Sequence, residues 1–316
     1  MEDKNYGKGI IFALISLFLV SLQPIVAISR PRVLDAYIFA AMTCIVESII
    51  FLPLILIERQ KLKSEIEKEP SKSDELHTLL NGWKKNKKIL LYIGINFAIA
   101  QILFYVAYEL AGAINGSLAQ QTMVIFALLF GFLIHHEKIS KTQILFSFLL
   151  LFGLTLAVTQ GNFNVLEINL GVLVMFITTM LWMLAHSITK PILEKEITPI
   201  QFSFIRYTIS GIFLICTYFI FYPITNISLL FEPINILFFL LIGFLYGFDV
   251  LFWYKSLSHI EMSKVSVLVS PMPILVAFFA FIILGESFTI FHLLGTIVII
   301  FSIIMIVKKR PAKIIP

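Results

Sequence analysis

Charge is scarce in this chain of 316 residues: Asp, Glu, Lys and Arg make up 14% of it, against 59% hydrophobic residues and a mean hydropathy of +0.95. One soluble core cannot hide that much apolar surface from water, so lipid must be the main solvent. Cysteine is scarcer still. Cys44 and Cys216 are the whole supply; both lie in apolar runs, where a thiol is a small hydrophobe, and they say nothing about redox compartment. Gly-rich phosphate loops, Cys/His zinc spacings and the aspartate-rich pairs of diphosphate chemistry are also missing, so nothing in the chain looks like an ATPase. His135-His136-Glu137 resembles a metal cluster only superficially. Adjacent helical residues point about 100° apart, and no further ligand is near in sequence. No metal, no cofactor and no enzymatic activity is expected.

What the chain does have is apolar runs of spanning length. A hydrocarbon layer roughly 30 Å thick needs about 20 mostly apolar residues per helix. Such runs fill residues 8–28, 35–57, 89–110, 114–134, 142–160, 168–189, 198–221, 235–255, 265–284 and 288–307. They are continuous rather than alternating, which favours helices over a barrel, since a helix satisfies its own backbone within lipid. The first run is expected to stay as a helix rather than be cleaved: it is long for a signal peptide, carries a Gln23-Pro24 break and precedes no small-x-small site. The expected fold is an all-α integral membrane protein of about ten transmembrane helices.

The net charge of +5 is explained by its placement rather than by nucleic acid. With a cytoplasmic N-terminus, the cytoplasmic segments hold 21 of the 24 Lys and Arg residues, and Arg30, Arg32 and Arg206 are the remainder. The positive-inside rule then puts both termini in the cytoplasm of a multi-pass cell-membrane protein. The one long connection, 58–88, mixes nine basic with six acidic residues, includes Pro70 and ends in Lys84, Lys85, Lys87 and Lys88. It reads as a solvated linker with a membrane-proximal basic end, with a regulatory or lipid-binding role as the alternative.

A shift of 149 residues lays one part of the chain on another without gaps. Phe104 meets Trp253, Tyr105 meets Tyr254, Ser117 meets Ser266, Met123 meets Met272, Phe130 meets Phe279 and Glu137 meets Glu286. Five helices per half is an odd number, so the copies enter the membrane from opposite sides. The expected organisation is two inverted five-helix repeats, 1–160 (with the loop 58–88) and 161–316, with a substrate site near the midplane between them.

Phe252-Trp253-Tyr254-Lys255-Ser256-Leu257, the stretch from Ser266 to Ser270-Pro271-Met272-Pro273, Leu284-Gly285-Glu286-Ser287 and Leu294-Gly295 together resemble the EamA-type branch of the drug/metabolite transporter superfamily. Arg206 also resembles an Arg often seen in the family's seventh helix. In the first half, Thr122 and Val124 stand where the second has Pro271 and Pro273, His136 replaces the Gly before the acid, and Phe146 stands opposite Gly295. The resemblance implies a secondary transporter or exporter of small organic metabolites such as amino acids or nucleosides, working by alternating access and driven by a gradient of substrate or coupled ion. A channel or lipid-moving protein, and a membrane-embedded enzyme, are the alternatives.

Charge deep in lipid is expensive, so each such group is expected to face protein or a water-filled cavity. Glu47 sits near the midplane of the second span without an obvious basic partner. It reads as a proton- or substrate-amine-binding carboxyl, or as a packed neutral one. Arg206 and Asp249 lie at similar depths on consecutive helices, which suggests an ion pair serving either structure or substrate. Gln101, Tyr105 and Tyr108 share one helical face, as do Tyr246, Asp249 and Trp253. Gln121 and Trp182 complete the candidate cavity residues, and His186 is expected near the interface. The implied partners are a small-molecule substrate, the bilayer and a coupled proton.

Overall fold

Lipid offers no partner to a backbone N–H or C=O, so the apolar runs become helices. A computed structural model describes residues 3–68, 71, 73–164, 168–257, 259–260 and 262–308. Of the residues read above, Glu69, Pro70, Lys72, Lys309, Arg310 and Lys313, and the side chains of Lys4, Leu257, Lys264 and Ser266, lie outside the described residues. The order is α1 (Asp3–Ser29), α2 (Ala36–Lys68), α3 (Ser73–Lys85), α4 (Lys87–Gln120), α5 (Met123–His135), α6 (Lys141–Val158), α7 (Leu170–Lys195), α8 (Pro199–Phe221), α9 (Pro233–Leu257), α10 (Met262–Val269), α11 (Met272–Phe279) and α12 (Ile290–Val307). Among the described residues, nine helices are long and apolar enough to cross a membrane, and α5 is a shorter apolar helix.

The tenth span is hidden in α4, whose 34 residues are two helices joined at Gly112. Gly112 has φ 78° and ψ 170°, a conformation that a Cβ disfavours, and there the chain doubles back. The reversal brings Gly116 against the ring of Tyr108, a contact impossible along one straight helix. Residues 87–111 are thus the third span, and 113–120 with α5 the fourth. The ninth is built likewise from α10, α11 and a π-helical turn, Ala280–Leu284.

The repeat reaches down to backbone torsions and caps. Both fourth-type spans break midway, at Gln121-Thr122 and at Ser270-Pro271, where i→i−3 hydrogen bonds tighten the helix. Both end in a left-handed residue, His136 (φ 55°) and Gly285 (φ 70°), with the next amide donating to Gly131 and Ala280. Both following helices start with a capping box, Ser140 with Gln143 and Thr289 with His292. Each pair is separated by the same 149 residues.

Packing follows the same pseudo-symmetry. The sixth span, α7, lies on α4 and α5, as α1 lies on α9 and α11, while α2 pairs with α8 and α6 with α12. The last crossing is close: a Cβ on Gly295 would lie 2.5 Å from the carbonyl oxygen of Gly153. The outside is apolar, with Phe148, Ile220, Phe221 and Phe281 all exposed to the lipid zone.

Two expectations change. Pro24 lies inside an α1 that runs from Asp3 to Ser29, so the Gln23-Pro24 break read in the span 8–28 does not interrupt the helix. The connection 58–88 is mostly helix rather than solvated linker: α2 runs on to Lys68, and α3 docks with Leu80 and Gly82 buried. Asp74 and Glu75 open α3 and Lys84 and Lys85 close it, matching the helix dipole. Charge composition pointed away from this packing, because it does not report an amphipathic face. Lys85 and Asn86 donate to Glu196 in the α7–α8 turn at 2.8 and 2.6 Å, which holds that carboxyl below its ordinary range.

Candidate functional site

Glu47 is fully buried, and among the described residues neither of its carboxylate oxygens has a partner at full hydrogen-bond geometry, although the Tyr207 hydroxyl is close enough to interact with it. The α2 helix places it against α4, α8 and α9, so it stands where the two halves meet. Its opposite charge comes from α8. Arg206 is 6% exposed, with its guanidinium 4.1 Å from the centre of the Phe97 ring and 4.4 Å from that of Tyr207, and its Nε lacks a partner. The two lie within electrostatic reach of each other, yet no direct ion pair joins them among the described residues. Aromatic faces, rather than a carboxylate, hold the guanidinium.

Around this pair are hydroxyls and rings. Among the described residues the buried hydroxyls of Tyr207, Tyr246 and Ser203 have no partner at full hydrogen-bond geometry, though Tyr207 stands near Glu47 and Tyr246 near Gln101, and Ser203 is one turn from Arg206. Tyr105 is fully buried, sharing a hydrogen bond with Thr43 at 2.8 Å and accepting one from Gln101 at 3.1 Å. Phe104 anchors the wall, with the rings of Tyr108, Tyr105, Trp182 and Tyr246 centred 4.8 to 5.5 Å away. The structure therefore brings Glu47, Gln101, Tyr105, Trp182, Arg206 and Tyr246 to one region.

The other candidates lie at its margins. Gln121 sits at the break of the fourth span, its amide 3.9 Å from the sulfur of Met272 at the break of the ninth. Asp249 turns toward α1 and accepts from Ser16 at 2.5 Å and Gln23 at 3.1 Å. The expected Arg206–Asp249 pair is thus replaced by two separate arrangements. Trp253 packs on Ala13, Ile260 and Val265 rather than on the central rings. His186 stands edge-on to Phe97, inside the bundle rather than at an interface.

Sequence reasoning passed over Thr43, Phe97 and Tyr207 as members of this region. Thr43 is one turn before Glu47, a spacing that shares a face and offered a signal. Tyr207 offered none, because neighbours on a helix diverge by about 100° and only a long guanidinium reaches back over its ring. Elsewhere, an apolar crevice of about 360 Å³ between α6 and α7, lined by Leu154, Val158, Val172 and Phe176, shares no residue with the polar cluster.

Chemically, the arrangement offers a carboxylate and a guanidinium that do not neutralise each other directly, unsatisfied hydroxyls and aromatic faces. A polar or charged group brought there, or a proton on Glu47, would find partners. Among the described residues no group of three or more His, Cys, Asp or Glu could hold a metal ion.

Comparison with known proteins agrees with this architecture. An uncharacterized transporter of Methanothermobacter thermautotrophicus is 26% identical over 231 residues, which is 71% of this chain and 65% of that protein, just under two thirds of its length. A crystal structure matches the fold with a TM-score of 0.62 over 96% of both chains, at 11% identity. Residues 7–159 and again 169–308 match the EamA-like transporter family, one stretch for each five-helix half, and with most of its length accounted for in this way the chain belongs to that family.

Proposed function

We propose that the protein is a secondary transporter that moves a small organic metabolite, such as an amino acid or nucleoside, by alternating access through the region between its halves. The observation that carries this reading is the unbridged Glu47–Arg206 pair, sealed from lipid at the junction of the two repeats. Buried polar atoms without partners are rare in proteins, and a cluster of them at a pseudo-twofold junction suits a ligand that supplies the partners in passing. Glu47, Gln101, Tyr105, Gln121, Trp182, Arg206, Tyr246, Asp249 and Trp253 form or border the path, and Glu47 is the group able to couple a proton to transport. Both termini are cytoplasmic, so the turn at Gly112 and the Glu286 end face outside.

Two measurements test this. Cysteines placed at Ser71 and Lys313 should resist an impermeant thiol reagent in intact cells, whereas one at Asn162 should react. Labelling of Lys313 with Asn162 protected would reverse the orientation. A thermal-shift screen against amino acids, nucleosides, purines and sugar phosphates should find a compound that raises the melting temperature, and does so less in Arg206→Ala. Saturable uptake of that compound into proteoliposomes is expected. Flux that never saturates would favour a channel instead.

A further inference from the structure

Glu286 performs a task that the central site does not use. Its carboxylate reaches from the second half to the first, with Oε1 accepting from the amide of Ala113 at 2.7 Å and Oε2 from that of Ile114 at 3.0 Å. These are opening amides of the helix after Gly112, which have no acceptor within their own helix. The negative charge also sits at the positive end of that helix. A Cβ at position 112 would come within 3.1 Å of the carboxylate, so glycine permits both the reversal and this approach.

The contact joins the two halves at the end of the bundle assigned above to the outside. The same end is tied further by Gln160, which accepts from Thr289 at 2.6 Å, and by the His292 ring, 3.2 Å from Asn115. Separating the halves there must break the carboxylate's two hydrogen bonds. The repeat supplies a counterpart: Glu137 matches Glu286, and α10 starts at Met262, the position that matches Ala113. In this conformer the Glu137 carboxylate lies 3.2 Å from Lys190.

We propose that Glu286 is a gating residue whose carboxylate clasps the first turn of the 113–120 helix to close the outer end, and that Glu137 does the same for α10 at the cytoplasmic end. The proposal rests on the alternating-access reading, but its first test does not require transport.

Hydrogen exchange in nanodiscs reads the clasp directly. Glu286→Gln keeps the shape and removes the charge, and should speed exchange of the amides at 113 and 114 about tenfold. The amides of α12 serve as a folding control and should be unchanged. Exchange at 113 and 114 equal to that of the parent would overturn the clasp. The gate is read separately with Cys216→Ser as background, leaving the buried Cys44 beside Glu47 as the single thiol. Glu286→Gln should raise labelling of Cys44 from outside several-fold, while Glu137→Gln should not. Faster amide exchange with unchanged Cys44 labelling would reduce Glu286 to a local helix cap and overturn its role as a gate. Equal gains in outside labelling for both variants would overturn the division of labour between the ends. A protein that transports nothing yet loses protection at 113 and 114 would fail the functional reading while keeping the clasp.

Discussion

Glu47 and Asp249 are two acids inside the same bundle, and they are treated in opposite ways. Asp249 receives hydrogen bonds from Ser16 and Gln23, which bind α9 to α1. Glu47 receives none at full geometry among the described residues, with only the Tyr207 hydroxyl near it, and its counter-charge stands off on aromatic rings. A carboxylate whose lone pairs are filled by protein holds helices together. One left unfilled is open to a ligand or a proton, and on the function proposed above the difference separates frame from substrate site.

The sharpest way to break that comparison is to remove the charge opposite Glu47. Arg206→Ala should cost on the order of 3 kcal/mol, because it leaves a buried carboxylate without compensation. Adding Glu47→Gln should recover about 1 kcal/mol or more, so that the double-mutant cycle is not additive, whereas Arg206→Ala and Asp249→Ala should simply add. Denaturant titration of the purified variants measures both cycles. Coupling of Arg206 to Asp249 instead of Glu47 would invert the assignment.

Asp249→Ala should come next, at about 1–3 kcal/mol, by leaving the Ser16 and Gln23 donors unsatisfied. It should lower yield while leaving substrate preference as in the parent. Glu47→Gln should do the reverse, changing stability by about 1 kcal/mol or less but lowering transport roughly tenfold or flattening its dependence on pH. Proteoliposome assays between pH 5 and pH 8 would decide it. A variant that transports like the parent at every pH makes Glu47 a packed polar residue.

The smallest effect belongs to the surface. Lys85 is largely exposed, so Lys85→Ala should cost no more than about 0.5 kcal/mol. Its partner Glu196 holds protons less readily in the folded than in the unfolded chain. Its contribution is therefore complete above the ordinary carboxylate range and is lost as pH falls through the lowered folded value. A melting temperature that responds to Lys85→Ala equally at pH 3 and pH 7 would contradict this link.

Spans, inversion and the matched Glu137 and Glu286 were readable because hydropathy and a fixed shift are properties of the chain itself. The partner of Glu47 was not. A soluble helix shows its buried side by its apolar stripe, but a helix in lipid is apolar all round, so its rotation leaves little trace. Equal depth therefore suggested Arg206 with Asp249, although α8 packs on α2 while α9 packs on α1. The break at Gln121-Thr122 was equally silent. Pro271 announces the bend in the second half, whereas in the first Thr122 bonds its hydroxyl to the carbonyl of Ala119 at 2.7 Å and to Thr179 at 3.1 Å.

The pairing of α2 with α8 also sets a schedule for the ribosome. Glu47 is synthesised 159 residues before Arg206, a delay of about 8 to 30 seconds at ordinary elongation rates. During that interval α2 must be accepted into the membrane with a carboxyl that has no counter-charge, and its most apolar 18-residue stretch, of mean hydropathy 2.3, is what offsets the penalty. The nascent first half is therefore an unfinished socket, and anything that delays the arrival of α8 lengthens its exposure to membrane quality control.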